Sequence, residues 1–317
     1  MQPISQDHEL ELLNEKVSYS FLNFFSSIID TQLKYSLGVI MKTFFKFFGA
    51  AFGLAFLVCS IYVVNLFSSK PFSLDHYLAK ELIVNLVDSP EYMTYIGIVD
   101  FLNPITKHNS KLSNNTLEDS EADHIDSIKH LQILNSYADD DLTEDQIITK
   151  KIAVFDTEND INGFENFRFH SYPINQIGGA HLNAVEFMTD IHPIRSKREA
   201  NDYLKRVNQI GASMDNLLLW FDKQAEIGIY PPTFVFDHVI NQLSEMLSNS
   251  SNPLLEVFAK KVRELDLSDS EISSLEAELS KIIEESFNPA YQRLLDRMIA
   301  DKSNSNLNHG VWSLPNG

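Results

Sequence analysis

Apolar residues follow three different patterns along this chain. From Phe47 to Phe67 (FFGAAFGLAFLVCSIYVVNLF) they run without a single charge. At about 1.5 Å per residue, that length makes a helix of roughly 31 Å, enough to cross a hydrocarbon core. Ahead of this run, Leu10, Leu13, Val17, Phe21, Phe24 and Ile28 recur every three or four residues, which is one apolar stripe of a helix. Such a stripe can lie along the inner membrane surface or pack on another copy of itself. It is imaginary if the start codon is misassigned and translation begins at Met41. Behind the run, the same spacing returns in Met214, Leu217, Leu218, Phe221 and Ala225, and in Phe236, Ile240, Leu243 and Leu247. A third stripe, Ile272, Leu275, Leu279 and Ile282, resumes after a break at Asn288 as Tyr291, Leu294, Leu295 and Met298. Helix starts are written as capping pairs, Thr116 with Asp119, Thr143 with Gln146 and Ser268 with Glu271, and Asn288 before Pro289 reads as another cap. Alternating strand patterns are absent, so the expected class is all-α.

Two stretches depart from helical spacing. Residues 103–115 are polar and turn-rich, and residues 159–180 (NDINGFENFRFHSYPINQIGGA) are aromatic and irregular. The second holds Phe164, Phe167, Phe169 and Tyr172, which must pack against something. Gly178 and Gly179 allow positive φ or close backbone approach just before a helix that begins near His181.

Charge divides the chain again. The formal net charge is −19, and residues 1–46, with four lysines against five acids, account for only −1 of it. A field of this sign gives nucleic acid nothing to bind. The one cysteine, Cys59, lies inside the apolar run and can form neither an intrachain disulfide nor a multi-thiolate zinc site. Lys34, Lys42 and Lys46 ahead of the run, against Lys70 and Lys80 behind it, favour a cytoplasmic N-terminus. The expected layout is a cytoplasmic tail over 1–46, a single-pass span of a bacterial inner membrane over 47–67 and a periplasmic helical region over 68–317. The residues around Phe67 are too large for a signal-peptidase site, and Val58 ahead of Cys59 suits lipid attachment poorly, so the anchor is expected to stay uncleaved.

Catalytic signatures are missing. A zinc-hydrolase helix needs two His four residues apart with a Glu between them, and none of the ten His supplies this. His181 and Glu186 are five apart, and His124, Asp126 and His130 fall in an acidic helix. No phosphate-binding Gly loop and no Gly-x-Ser-x-Gly elbow is present. The run Asp139–Asp141 reads as a solvated turn. These residues alone name no enzyme.

Six segments in order nevertheless resemble one family: SPEYMTYIG at Ser89–Gly97, PINQIGGAH at Pro173–His181 and DYLKRV at Asp202–Val207. Next come Gly228 and Pro231 ahead of the helix with Val239, Ile240 and Gln242, then NPAYQRL at Asn288–Leu294 and GVWSLPNG at Gly310–Gly317. Together they resemble the N-terminal half of the bacterial family catalogued as domain of unknown function 885, over roughly Leu74–Gly317. The resemblance implies an extracytoplasmic protein, often membrane-anchored or a lipoprotein, similar to helical zinc metallopeptidases of the gluzincin type. It places the metal site in the C-terminal half, on a His-Glu-x-x-Pro-Gly-His-x-x-Gln helix with a further acidic ligand. No residue of this sequence matches that motif, so no catalytic residue and no metal ligand is assigned, and zinc is expected only with the other half. The N-terminal half of such a peptidase forms one wall of the substrate channel. On that reading Gln176, Gly178, Gly179 and His181 face a peptide ligand, beside the alternative that they pack between helices. The abrupt end at Gly317 favours a truncated, split or frame-shifted half-enzyme, silent alone, whose partners are the membrane and a separately encoded C-terminal half. The alternative is a non-enzymatic anchored helical binding or scaffold module.

Overall fold

A computed structural model describes residues 46–49, 52–113, 116–248, 252–305, 312 and 314–315. The amphipathic stripe expected over Leu10–Ile28 lies outside these residues, as does the alternative start at Met41. The chain divides into two compact units, Met1–Pro71 and Phe72–Gly317.

In the first unit, α1 (Lys46–Leu66) is long and apolar enough to cross a membrane. Its Phe52, Phe56, Val63 and Val64 side chains are exposed.

The second unit is helical, and no strand occurs among its described residues. It begins with α2 (Leu74–Val87), α3 (Pro90–Ile96) and the single turn α4 (Asn103–Thr106), followed by α5 (Leu117–Asn135) and α6 (Glu144–Phe167). Then come α7 (Ala180–Glu186), the 30-residue α8 (Lys197–Glu226), α9 (Thr233–Ser248), α10 (Pro253–Arg263), α11 (Asp269–Ile282) and α12 (Asn288–Asp301). The capping pairs act as their sequence suggests. The Thr116 hydroxyl accepts from the Asp119 amide at 3.0 Å, and Thr143–Gln146 and Ser268–Glu271 close full capping boxes.

Most of the core surrounds α8. Its buried Tyr203, Val207, Ile210, Met214 and Phe221 meet Phe236, Val239 and Leu243 of α9, Phe258 of α10, Leu279 of α11 and Tyr291 and Leu294 of α12. A smaller core joins Leu74 and Tyr77 of α2 to Leu134 of α5 and Tyr137. Helices α5 and α6 form an antiparallel hairpin. Lys150 reaches the Tyr137 carbonyl at one end, and His124 stacks on Phe164, centroids 4.0 Å apart, at the other.

Three sequence expectations are corrected. Residues 159–167, expected to be irregular, are the last turns of α6. Asn159, Asn162 and Gly163 are weak helix formers, but the packing of Phe164 on His124 and the bond from Arg168 to the Leu117 carbonyl (2.8 Å) hold them against α5. Asn288, expected to cap a break, is itself helical (φ −58°, ψ −44°). Helix α11 runs into α12 through a π-helical turn, Ile283–Phe287, whose wider winding accommodates Pro289 one turn on. The 103–115 stretch also contains more helix than its composition suggests, in α4 and a 3₁₀ turn at His108–Ser110.

Candidate functional site

The segment between α6 and α7 makes a tight turn whose hydrogen bonds start with Asn175. Its Oδ1 accepts from the amides of Ile177 and Gly178, both at 3.0 Å, and its Nδ2 donates to the Tyr172 carbonyl. Gly179 then serves as the N-cap of α7 (φ −65°, ψ 150°). Neither Gly178 nor Gly179 has positive φ. Gly179 is required instead by close approach, because a Cβ there would lie 2.6 Å from the backbone N and O of Asn175.

Three helices converge on this turn. Gln242 of α9 donates through Nε2 to the Gln176 carbonyl (3.1 Å), which turns its Oε1 toward His181. His181 therefore carries its proton on Nε2 and donates it to Gln242 at 3.1 Å. Among the described residues no hydrogen-bond partner reaches its buried Nδ1. Burial pushes the imidazole below its ordinary pKa, against the opposing bond from Gln242, so it is neutral at pH 7. From α12, Tyr291 OH donates to the His181 carbonyl at 2.7 Å, and the Tyr291 ring stacks on Phe287. Of the four residues assigned to a ligand-facing surface, His181 and Gly179 are thus buried, Gln176 is half-buried and Gly178 is exposed at the tip with Ile177. The aromatic residues just upstream pack inward. Phe169 meets the edge of Trp220 at 4.9 Å, and Tyr172 OH donates to the Tyr230 carbonyl.

A second buried cluster, which the sequence reading missed, forms where α3 and the 103–113 segment cross α8. Arg206 is fully buried and donates from Nε to the Lys111 carbonyl (2.7 Å), from Nη1 to His192 Nδ1 (3.0 Å) and from Nη2 to Thr94 Oγ1 (3.0 Å) and the His108 carbonyl. Burial lowers its pKa to about 10, with Glu91 and Asp202 opposing the shift. His192 is pushed to about 3 by burial and by the adjacent Arg206 charge. Asp202 accepts from Asn103, Glu91 accepts from Ser113, and Thr94 donates to Asn109. The signal was present in the sequence, since Arg206 occupies the apolar face of α8 among Tyr203, Val207 and Ile210. Arginine is almost never fully buried unless its donors are matched.

Zinc, which the family resemblance implies, does not fit the residues in hand. Among the described residues no three His, Cys, Asp or Glu side chains come together in a way that could hold a metal ion. His181 spends Nε2 on Gln242, and His124 is stacked on Phe164. The Asp139–Asp141 turn is exposed, and Asp139 pairs with Lys150 at 2.7 Å.

These two clusters join sequence motifs that lie far apart. PINQIGGAH meets Gln242 and NPAYQRL in one, and SPEYMTYIG meets DYLKRV in the other. A family model described as a bacterial protein of unknown function, DUF885, matches residues 90–311. The chain belongs to the DUF885 family. A crystal structure from Colwellia psychrerythraea, described as that of a candidate lipoprotein, is similar with a TM-score of 0.61 and 18% sequence identity. The match covers 74% of this chain and 44% of the Colwellia chain, so this DUF885 chain spans less than half the length of that relative. At this identity the likeness shows a shared fold. No curated protein matches the sequence.

Proposed function

We propose that this chain is the membrane-anchored, extracytoplasmic N-terminal half of a DUF885 metallopeptidase-like fold, supplying a rigid wall of helices and no catalytic group. The observation that carries this reading is the pairing of the motifs. Their polar side chains are spent on one another, Gln242 on His181 and Gln176, Tyr291 on His181, Arg206 on Thr94 and His192. A peptidase needs ligands that fix its metal and a base for the water proton, and these residues are committed to holding helices together. The zinc motif implied by the family resemblance would come from a second segment or polypeptide. Helix α1 would cross the inner membrane once, with the N-terminus cytoplasmic and the bulk of the chain periplasmic. Its length and the lipoprotein description of the Colwellia relative support association with a membrane.

The test is metal analysis and peptide hydrolysis on the detergent-solubilised full chain. The expected result is no stoichiometric zinc and no chelator-sensitive cleavage. Zinc bound at one equivalent, with cleavage lost on chelation, would overturn the reading.

A second reading is a non-enzymatic binding module. The exposed Ile177–Gly178 tip favours it, because Asn175, Asn183 and Gln242 hold the tip rigid. Titration with a periplasmic peptide library checks this reading. Binding lost in Ile177→Ser would support it, and unchanged binding would remove it.

A further inference from the structure

Residues 90–107 have two unlike faces. Inward, Met93, Thr94 and Asn103 are buried, held by the Arg206 cluster. Outward, Tyr92, Tyr95, Ile98, Phe101 and Ile105 are all more than half exposed, up to 81% for Ile105. They recur every three or four residues through α3, the Gly97 turn (φ 67°), a 3₁₀ turn at Asp100–Leu102 and α4. The segment therefore carries a ridge-like run of five exposed large apolar and tyrosine side chains. Single exposed apolar residues need no explanation, but five in sequence along one ridge do.

The charges beside the ridge narrow its partner. Glu91 is hydrogen-bonded to Ser113, and Asp100 is paired with Arg195. The exposed charges on this segment and just beside it are Asp88, Lys107 and Lys111, in a chain of net charge −19. A chain this acidic is repelled by anionic headgroups unless local positive charge offsets the repulsion. Tyrosines, aliphatic side chains and lysines are the side chains that settle at a lipid–water boundary. Along the sequence, residues 67–91 lie between α1 and Tyr92.

We propose that the ridge Tyr92–Ile105, with Lys107 and Lys111 at its edge, docks on the surface of an anionic lipid bilayer. The proposal rests on the reading of α1 as an anchor, and its test keeps the two apart. The full chain is reconstituted in phosphatidylcholine vesicles with and without phosphatidylglycerol. Protection of native Cys59, in α1, from a water-soluble maleimide reports insertion of the anchor. In a Cys59→Ser background, a nitroxide on Ile98→Cys reports the ridge, and one on the exposed Ser270→Cys of α11 serves as a water reference. Accessibility to oxygen and to a water-soluble nickel chelate is read by power saturation.

Docking predicts that the label at residue 98 meets oxygen and not nickel when phosphatidylglycerol is present. Lys107→Asn and Lys111→Asn should each lower the docked-to-free ratio roughly fivefold, corresponding to about 1 kcal/mol per basic side chain near anionic lipid. Asparagine tolerates the positive φ of Lys107. Nickel access at residue 98 with Cys59 protected overturns the docking and leaves the anchor standing. Exclusion of both reagents also overturns it, because protein then covers the ridge, either a second copy or another part of the DUF885 fold. Reaction of Cys59 in intact vesicles removes the anchor itself.

Discussion

His192 carries a pH dependence that can be read off its surroundings. Its folded pKa, pushed to about 3 from an ordinary 6.5, means that between those values the unfolded chain binds a proton that the folded chain refuses. The neutral-histidine contribution is therefore complete above pH 6.5. It is lost on acidification toward pH 3, by up to about 1.4 kcal/mol per pH unit. His108, His130 and His181 are shifted in the same direction, chiefly by burial, and steepen the loss. Glu271 is pulled from 4.5 to about 2, first by its bond to Lys197, and so adds loss only below about pH 4.5. His192→Asn keeps an acceptor for Arg206 and removes the titration. Urea unfolding between pH 5 and 6.5 should then show a slope flatter by up to one proton, and an unchanged slope would refute the assignment.

At the scale of elements, one substitution has opposite signs in two helices. Gly163 in α6 has nothing within 4 Å of an added Cβ, so Gly163→Ala should stabilise by about 1 kcal/mol. Gly211 in α8 lies against the π-helical turn, and a Cβ there would meet Ser286 Oγ at 2.6 Å and its carbonyl O at 2.9 Å. Gly211→Ala should cost about 1–3 kcal/mol, and thermal melts of both variants check the contrast. Neither sign could be read from the sequence, since what differs is the neighbour across the interface. The helix starts at Thr116, Thr143 and Ser268 were legible because a cap and its partner are three residues apart. The end of α6 was not, because the stretch around Asn159–Gly163 is helical only through its packing on α5. Pro289 misled for a related reason. A proline usually marks a helix start, and here a π-helical turn carries the helix past it.

At the scale of the whole chain, the all-α class and the family were legible, and the distant partners of the motif residues were not. His181 stood out as part of a motif, but its partners Gln242 and Tyr291 lie 61 and 110 residues away, and only the fold brings them to it. Tyr291→Phe should cost about 0.5–1.5 kcal/mol by removing one buried hydrogen bond to the His181 carbonyl, with little change in helical circular dichroism. A larger loss with collapse of the helical signal would mean that the hydroxyl does more than close this turn. The same bond sets an order of events during synthesis. At roughly 5–20 residues per second, α12 leaves the ribosome on the order of ten seconds after the turn it must complete. Until then the Asn175–His181 segment waits half-assembled, a window in which a chaperone or a protease would find the nascent chain open.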